Sequence, residues 1–217
     1  MTKALRLGYI KEIGAPCADN AEIPPLRQWK ALSLATSRIR NLATKFPANL
    51  RPSPENSSRP VLAADTVTTP SPNDRTAGRA GDIFEYTVVT GDVVYSSVLK
   101  QAVERFVTDD GNEESRIPIR QWMKSLPPSY KLQLEKLLRS CRGRRFLVLD
   151  TGYIGLGPLE AEIGDLVFII PEVSVPFVLR EETGGLKLVG ECYVQNVMDG
   201  EVIAGVDESK LEDIIIQ

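Results

Sequence analysis

Arg144-Arg-Phe-Leu-Val148, Thr151-Gly-Tyr-Ile-Gly-Leu-Gly-Pro158, Gly164-Asp-Leu-Val-Phe-Ile-Ile170, Val175-Pro-Phe-Val-Leu-Arg180, Leu188-Val-Gly-Glu-Cys-Tyr-Val194 and Val197-Met-Asp-Gly-Glu-Val202 follow one another through the last third of the chain. Short apolar runs punctuated by Gly, Pro and Asp are the pattern of small antiparallel barrels and sandwiches. Leu166 to Ile170 is apolar at every position, so both faces of that strand are expected to be covered. In Leu186 to Val194 the alternating set Leu186, Leu188, Gly190, Cys192 and Val194 is expected to face the core. Thr183-Gly-Gly185 suits a hairpin joining Phe177–Glu181 to Leu186–Val189, and Asp199-Gly200 suits a tight turn before Glu201 to Ala204. Together these segments predict a compact, closed β-unit over residues 144–217.

Upstream of this unit the period changes from strand to helix. After Pro127-Pro128, Ser129 suits an N-cap, Leu132, Leu134, Leu137, Leu138 and Cys141 supply an apolar face, and Gly143 suits a left-handed C-terminal position. Arg139 and Arg142 would favour the negative helix end. Asp109 to Glu114 reads as a solvated loop. Before it, Ser96 or Ser97 can cap a helix whose Val98, Ala102 and Phe106, flanked by Leu99 and Val103, form one face. Ile83 to Val89 is either a strand or the start of a helix, with its β-branched residues favouring the strand.

Residues 48–80 hold five prolines among Ser, Thr, Asn and Arg, and are expected to be a disordered linker, since they carry too little apolar surface to offset ordering entropy. A helix is predicted from Pro24-Pro25 to Phe46, with Leu26, Trp29, Leu32, Ile39, Leu42 and Phe46 near helical spacing and Pro47 as its stop. At the N-terminus Leu5, Leu7 and Tyr9 alternate with Arg6, Gly8 and Ile10, which predicts a strand. A chain that opens on a core strand reads as a piece of something longer. The expected organisation is α+β: residues 1–47 a strand plus helix, 48–80 a disordered linker, 81–143 a mainly helical region, and 144–217 a small, mainly antiparallel β-barrel or sandwich-like module.

Composition narrows the chemistry. The 217 residues include 42% hydrophobic ones, enough for a packed core, and carry a formal net charge of −3. That balance gives no footprint for nucleic acid or an anionic membrane, and no run is long and apolar enough to span a bilayer or form a signal-peptide core. The three cysteines, Cys17, Cys141 and Cys192, fit neither a disulfide framework nor a CxxC zinc site, which implies reduced thiols in a cytoplasmic protein. With no histidine in the chain, Ser-His-Asp, Cys-His and His-metal sites are excluded.

The remaining candidates have structural readings beside the functional ones. Gly155-Leu-Gly157 could let backbone amides approach a phosphate, but Pro158 removes an amide and no Lys-Ser/Thr follows, so a tight turn is preferred. Cys192 has no histidine to deprotonate it and is expected to be a buried thiol, as is Cys141. Asp150, Asp165, Glu181, Glu191, Asp199 and Glu201 are expected to cap turns or face solvent rather than form a catalytic pair. Arg139, Arg142, Arg144 and Arg145 read as a solvated helix end meeting local acids. No catalytic, cofactor-binding or metal residue is expected.

The order of motifs from Arg144 to Ala204 resembles the C-terminal region of fungal heterokaryon incompatibility proteins, in which a strand, a GxxGLGP segment, a GD strand, a PFVLR strand and a GECYV…MDGE strand succeed one another. Leu5 to Ile13 resembles the strand that follows that family's N-terminal signalling domain, with a Lys where the family pattern has Asp. The resemblance implies nonself recognition, and singles out Glu191 and Glu201 because the matching motifs contain them. No segment resembles the signalling domain linked to growth arrest and cell death. The expected function is therefore that of a truncated, non-enzymatic accessory or regulatory member, partnered by full-length relatives or other proteins. The alternatives are an independent peptide-binding β module, using a strand edge or Tyr153, Phe177 or Tyr193, and an enzyme built on carboxylates or Cys192.

Overall fold

In a computed structural model, residues 1–42, 97–171, 173–198, 202–203 and 206–217 are described, with the side chains of 37–42 and of 97 left aside. The expected linker at 48–80, the Ile83–Val89 segment and the Asp199-Gly200 turn lie outside these residues. Described are four α-helices and eight strands: β1 (Thr2–Ile13), α1 (Leu26–Leu42), α2 (Ser97–Thr108), α3 (Glu113–Ser125), α4 (Pro128–Cys141), β2 (Arg144–Leu149), β3 (Ile154–Pro158), β4 (Leu166–Ile169), β5 (Phe177–Glu182), β6 (Gly185–Glu191), β7 (Tyr193–Val194) and β8 (Glu212–Ile214). The α+β reading and the antiparallel pairing both hold.

The strands join in the order β6-β5-β4-β1-β2-β3-β7, with β8 added to β1. Every ladder is antiparallel. The expected closure is not made by a ladder between the end strands. Instead β6 and β7 are consecutive segments of one chain that turns a corner at Cys192, pairing first with β5 and then with β3.

β1 is the centre of this sheet. Its first residues, Thr2–Ala4, pair with β8, Leu5–Tyr9 pair with β4, and Ile10–Ile13 pair with β2. A bulge between Arg6 and Gly8 reverses the phase of the strand, so Leu5, Leu7 and Ile10 are buried while Tyr9 is exposed. The simple alternation read from sequence, with Tyr9 inside and Ile10 outside, fails at that bulge. Gly8 has φ +146, and a Cβ there would collide with the Asp150 carboxylate oxygen. The hairpin turn after β2 is seated on this glycine: Asp150 Oδ1 accepts the Tyr9 amide at 2.9 Å, and Thr151 Oγ1 donates to the Leu7 carbonyl at 2.9 Å.

Two apolar layers follow from the pleat. Leu147 and Leu149 point inward with Leu5, Leu7, Ile10, Val167, Ile169 and Val178. Phe146 and Val148 point the other way, with Ile154 and Leu156, to meet the helices. On β4, Val167 and Ile169 belong to the inner cluster, while Leu166 and Phe168 join Ala4, Leu179 and Ile214 in an outer one. Both faces of β4 are covered, as its uninterrupted apolar run predicts. β6 departs from expectation: a bulge opposite Val178 and Leu179 shifts its register, so Leu188 is exposed and Val189 packs against the inner cluster.

The helices cover the β2–β3 face. Trp29 of α1 is fully buried, stacks on Phe146 with centroids 6.1 Å apart, and donates its indole N–H to the Ala15 carbonyl at 2.8 Å. The buried residues Val98, Leu99, Ala102, Val103 and Phe106 are the predicted face of α2. α3 begins at Glu113, so Glu113 and Glu114 are its first turn rather than loop, placed where acids favour the positive helix end. Its interior Pro118, which cannot donate to Glu114, hides it from a sequence reading. α4 starts two residues earlier than predicted, with Pro127 at the N-cap, Pro128 at its first position and Ser129 inside it. Leu132 is exposed and leaves the apolar face, whereas Gly143 has the left-handed φ of 66 expected past the helix end.

Candidate functional site

Gly155-Leu-Gly157 is neither a phosphate loop nor a turn: it is the body of β3, between β2 and β7. A Cβ on Gly155 would overlap the Tyr193 carbonyl oxygen, and one on Gly157 would overlap the Leu147 side chain. The glycines permit close strand approach. The sequence signal was the right residue type read for the wrong backbone shape.

Of the candidate carboxylates, Asp150, Asp165 and Glu191 are engaged by local partners. Asp165 is buried; Oδ2 accepts the Glu162 amide at 2.8 Å, the turn role expected of it. It also receives a two-pronged pair from Arg180, Nε to Oδ1 at 2.8 Å and Nη2 to Oδ2 at 2.9 Å. Arg180 reaches further to the Glu160 carbonyl at 2.9 Å and to the Glu162 carboxylate at 3.2 Å. The hydrogen bond to Asp165 foremost, with the charges of Asp165, Glu162 and Glu182, raises the Arg180 pKa above its ordinary value. Sequence reasoning found Asp165 but missed this partner, whose signal was the arginine ending Val175-Pro-Phe-Val-Leu-Arg180. Asp150 holds the Tyr9 amide. Glu191 is exposed and pairs with Arg144 at 3.4 Å, Glu181 is exposed, and Asp199 and Glu201 lie outside the described residues.

All three thiols are free and buried. Burial pushes Cys17 up to about 11 and Cys192 up to about 12, and raises Cys141 further still, so none is poised as a thiolate. The four arginines form less of a solvated cluster than expected. Arg139 and Arg142 meet Glu135, but Arg142 also bonds the Ala21 carbonyl, Arg144 that of Leu156, and Arg145 those of Gly14 and Ala161. They staple the β2 region to its surroundings. Of the candidate recognition aromatics, Tyr193 is buried with its hydroxyl on Gln195 at 2.8 Å, while Tyr153 and Phe177 pack against the apolar clusters.

An open groove of about 490 Å³ lies between the start of α1 and the loop before α3, lined by Ile23, Pro25, Arg27, Gln28, Asp109 and Arg116 among others. Its polar walls are largely engaged: Asp109 pairs with Arg116 at 3.2 Å, and Gln28 accepts the Ala15 amide. A hydrogen bond from Ser115 lowers the pKa of Asp110, another lining residue. Among the described residues there is no group of three or more Cys, Asp and Glu placed to hold a metal, and no helix long and apolar enough to cross a membrane.

The described residues thus form a bent antiparallel sheet with helices on one face. The chain belongs to the family described as the Het-6 beta-barrel domain, which matches residues 85–213. It is also similar to heterokaryon incompatibility protein 6, OR allele, of Neurospora crassa, with 32% identity over 83 residues, 36% of this chain and 12% of that protein. The similarity thus spans about an eighth of the relative's length. No solved structure matches.

Proposed function

We propose that this chain is a non-enzymatic accessory or regulatory component of heterokaryon incompatibility, the nonself recognition of fungi, acting in the cytoplasm by binding full-length family members. Membership of the Het-6 barrel family carries this reading. The chemistry of the module is consistent with it: the buried acid is tied to Arg180, the thiols are desolvated, and the glycine-rich segment is a strand. Expression of the chain alone in a fungal host is expected to leave growth unchanged. Coexpression with a full-length relative is expected to change that relative's effect on growth, and the tagged chain should retain the relative on an affinity resin. A purified chain that hydrolyses NAD or another small substrate, or that arrests growth unaided, would replace this reading by an enzymatic one.

A further inference from the structure

The segment 212–217 touches both ends of one run of strands. β1, β4, β5 and β6 are hydrogen-bonded in succession. The first half of the segment, β8, pairs with the start of β1, Thr2 with Ile214, Lys3 with Asp213 and Ala4 with Glu212. The second half reaches the start of β6: the Leu186 amide donates to the Ile215 carbonyl at 2.7 Å, and the Gln217 amide donates to the Leu186 carbonyl at 2.9 Å. Between these attachments Ile214 is buried in the outer cluster with Ala4, Leu166, Phe168 and Leu179.

The crossing is built into the start of β6 by its glycines. A Cβ on Gly185 would lie 2.8 Å from the Ile215 carbonyl oxygen, and one on Gly184 would lie 3.0 Å from the Gln217 side-chain nitrogen. Anchorage, by contrast, is slight. Of the three consecutive isoleucines only Ile214 is buried, Ile215 and Ile216 being 52% and 37% exposed. The ion pairs, Lys3 with Asp213 at 3.0 Å and Arg6 with Glu212 at 2.7 Å, stand half in solvent. Arg6 also lies 5.5 Å from the centre of the Phe168 ring, so one guanidinium touches both the segment and the cluster beneath it. A short segment with one buried side chain and few backbone bonds opens far more readily than the sheet it crosses. Ion pairs in solvent weaken as salt rises, so the closed state depends on ionic strength.

We propose that residues 212–217 are a salt-sensitive strap that opens without unfolding the sheet and so gates the apolar surface formed by Ala4, Phe168, Leu179 and Leu186. Closed, the strap pairs the start of β6 and covers that surface. Open, it leaves the Leu186 amide and carbonyl to solvent and uncovers the outer cluster, with β1, β4 and β5 still paired to one another. Glu212 and Asp213 tune the closed population through their ion pairs with β1. The device does not depend on the accessory role proposed above, and its test is independent of any relative.

The test is amide hydrogen exchange on the full chain, read residue by residue by NMR. Leu186 and Gln217 report on the strap, and Ile10, whose amide donates to the Asp165 carbonyl at 2.8 Å in the central strand, reports on the sheet. Corrected for intrinsic rates, Leu186 and Gln217 should exchange at least about 100-fold faster than Ile10. As sodium chloride shortens the Debye length from about 30 Å to about 3 Å, Leu186 should speed up roughly two- to tenfold relative to Ile10. In the E212Q/D213N variant the strap should exchange faster at low salt and respond no further to added salt. G185A, whose new methyl meets the Ile215 carbonyl, should release Leu186 while Ile10 keeps its protection. Exchange of Leu186 at the Ile10 rate would overturn the proposal, as would a salt response that persists undiminished in E212Q/D213N or an equal loss of protection at both sites in G185A.

Discussion

Replacing Phe168 tests the core on which the sheet depends. Phe168 lies on β4 opposite Arg6 of β1 and Phe177 of β5, is fully buried, and shares the outer cluster with Ala4, Leu179 and Ile214. Truncation of a buried phenylalanine costs roughly 3–5 kcal/mol through lost transfer energy and the residual cavity. The Arg6 guanidinium sits 5.5 Å from the ring centroid, where a partly exposed cation–π contact adds about 0.5–1 kcal/mol. Phe168→Ala is therefore expected near the upper part of that range, whereas Phe168→Leu, which keeps most of the apolar volume, should cost about 1.5 kcal/mol. Urea unfolding followed by circular dichroism measures both, with an unchanged denaturant slope showing that the unfolded reference is the same. A loss below about 1 kcal/mol for the alanine variant would mean that the ring is not buried as described. Equal losses for Ala and Leu would refute a separate contribution from the ring.

Arg180→Lys should destabilise by about 1–3 kcal/mol, because a single ammonium cannot reproduce the fork on Asp165 and leaves a buried carboxylate under-bonded; urea denaturation would show it, and a neutral outcome would make the pair ornamental. Gly155→Ala should lose more than the roughly 1 kcal/mol of an ordinary strained glycine replacement, since the added methyl meets the Tyr193 backbone rather than a side chain that can swing aside; a thermal shift no larger than that of an exposed-loop glycine would contradict the strand contact. Cys17 and Cys192 bind their protons more tightly in the folded than in the unfolded chain, so their contribution is intact below pH about 9 and is lost as pH rises through about 11 and 12. The double variant C17S/C192S should flatten that alkaline decline in denaturation experiments, and an unchanged slope would count against burial as its cause.

The elements legible in the sequence were those whose signals are local. The apolar run of β4, the Thr183-Gly184 hairpin, the face of α2 and the left-handed Gly143 all appear where the spacing places them. What escaped was set by contacts distant in sequence. Gly8 looks like one more position in an alternating strand until the Asp150 turn, far along the chain, is seen resting on it. The bulges in β1 and β6 reverse the burial of Tyr9, Ile10 and Leu188, and nothing in a period-two pattern announces a bulge. α3 was obscured because Pro118 and an acidic first turn are both commoner signs of a loop. The corner at Cys192 escaped for a similar reason: β6 and β7 read as one strand, yet its two halves pair with different neighbours.

The same geometry explains why the motifs declare lineage so much more plainly than chemistry. Arg180 of Val175-Pro-Phe-Val-Leu-Arg180 grips Asp165 of the Gly164-Asp segment. Gly155 of the Gly-Leu-Gly segment lies against Tyr193 of Glu191-Cys-Tyr-Val194, and Arg144 at the head of the first run pairs with Glu191. The motifs are partners of one another: each supplies the glycine, cation or acid that another needs to pack. A set of residues that satisfy each other records how the barrel is assembled, and such a record identifies a fold without specifying a reaction.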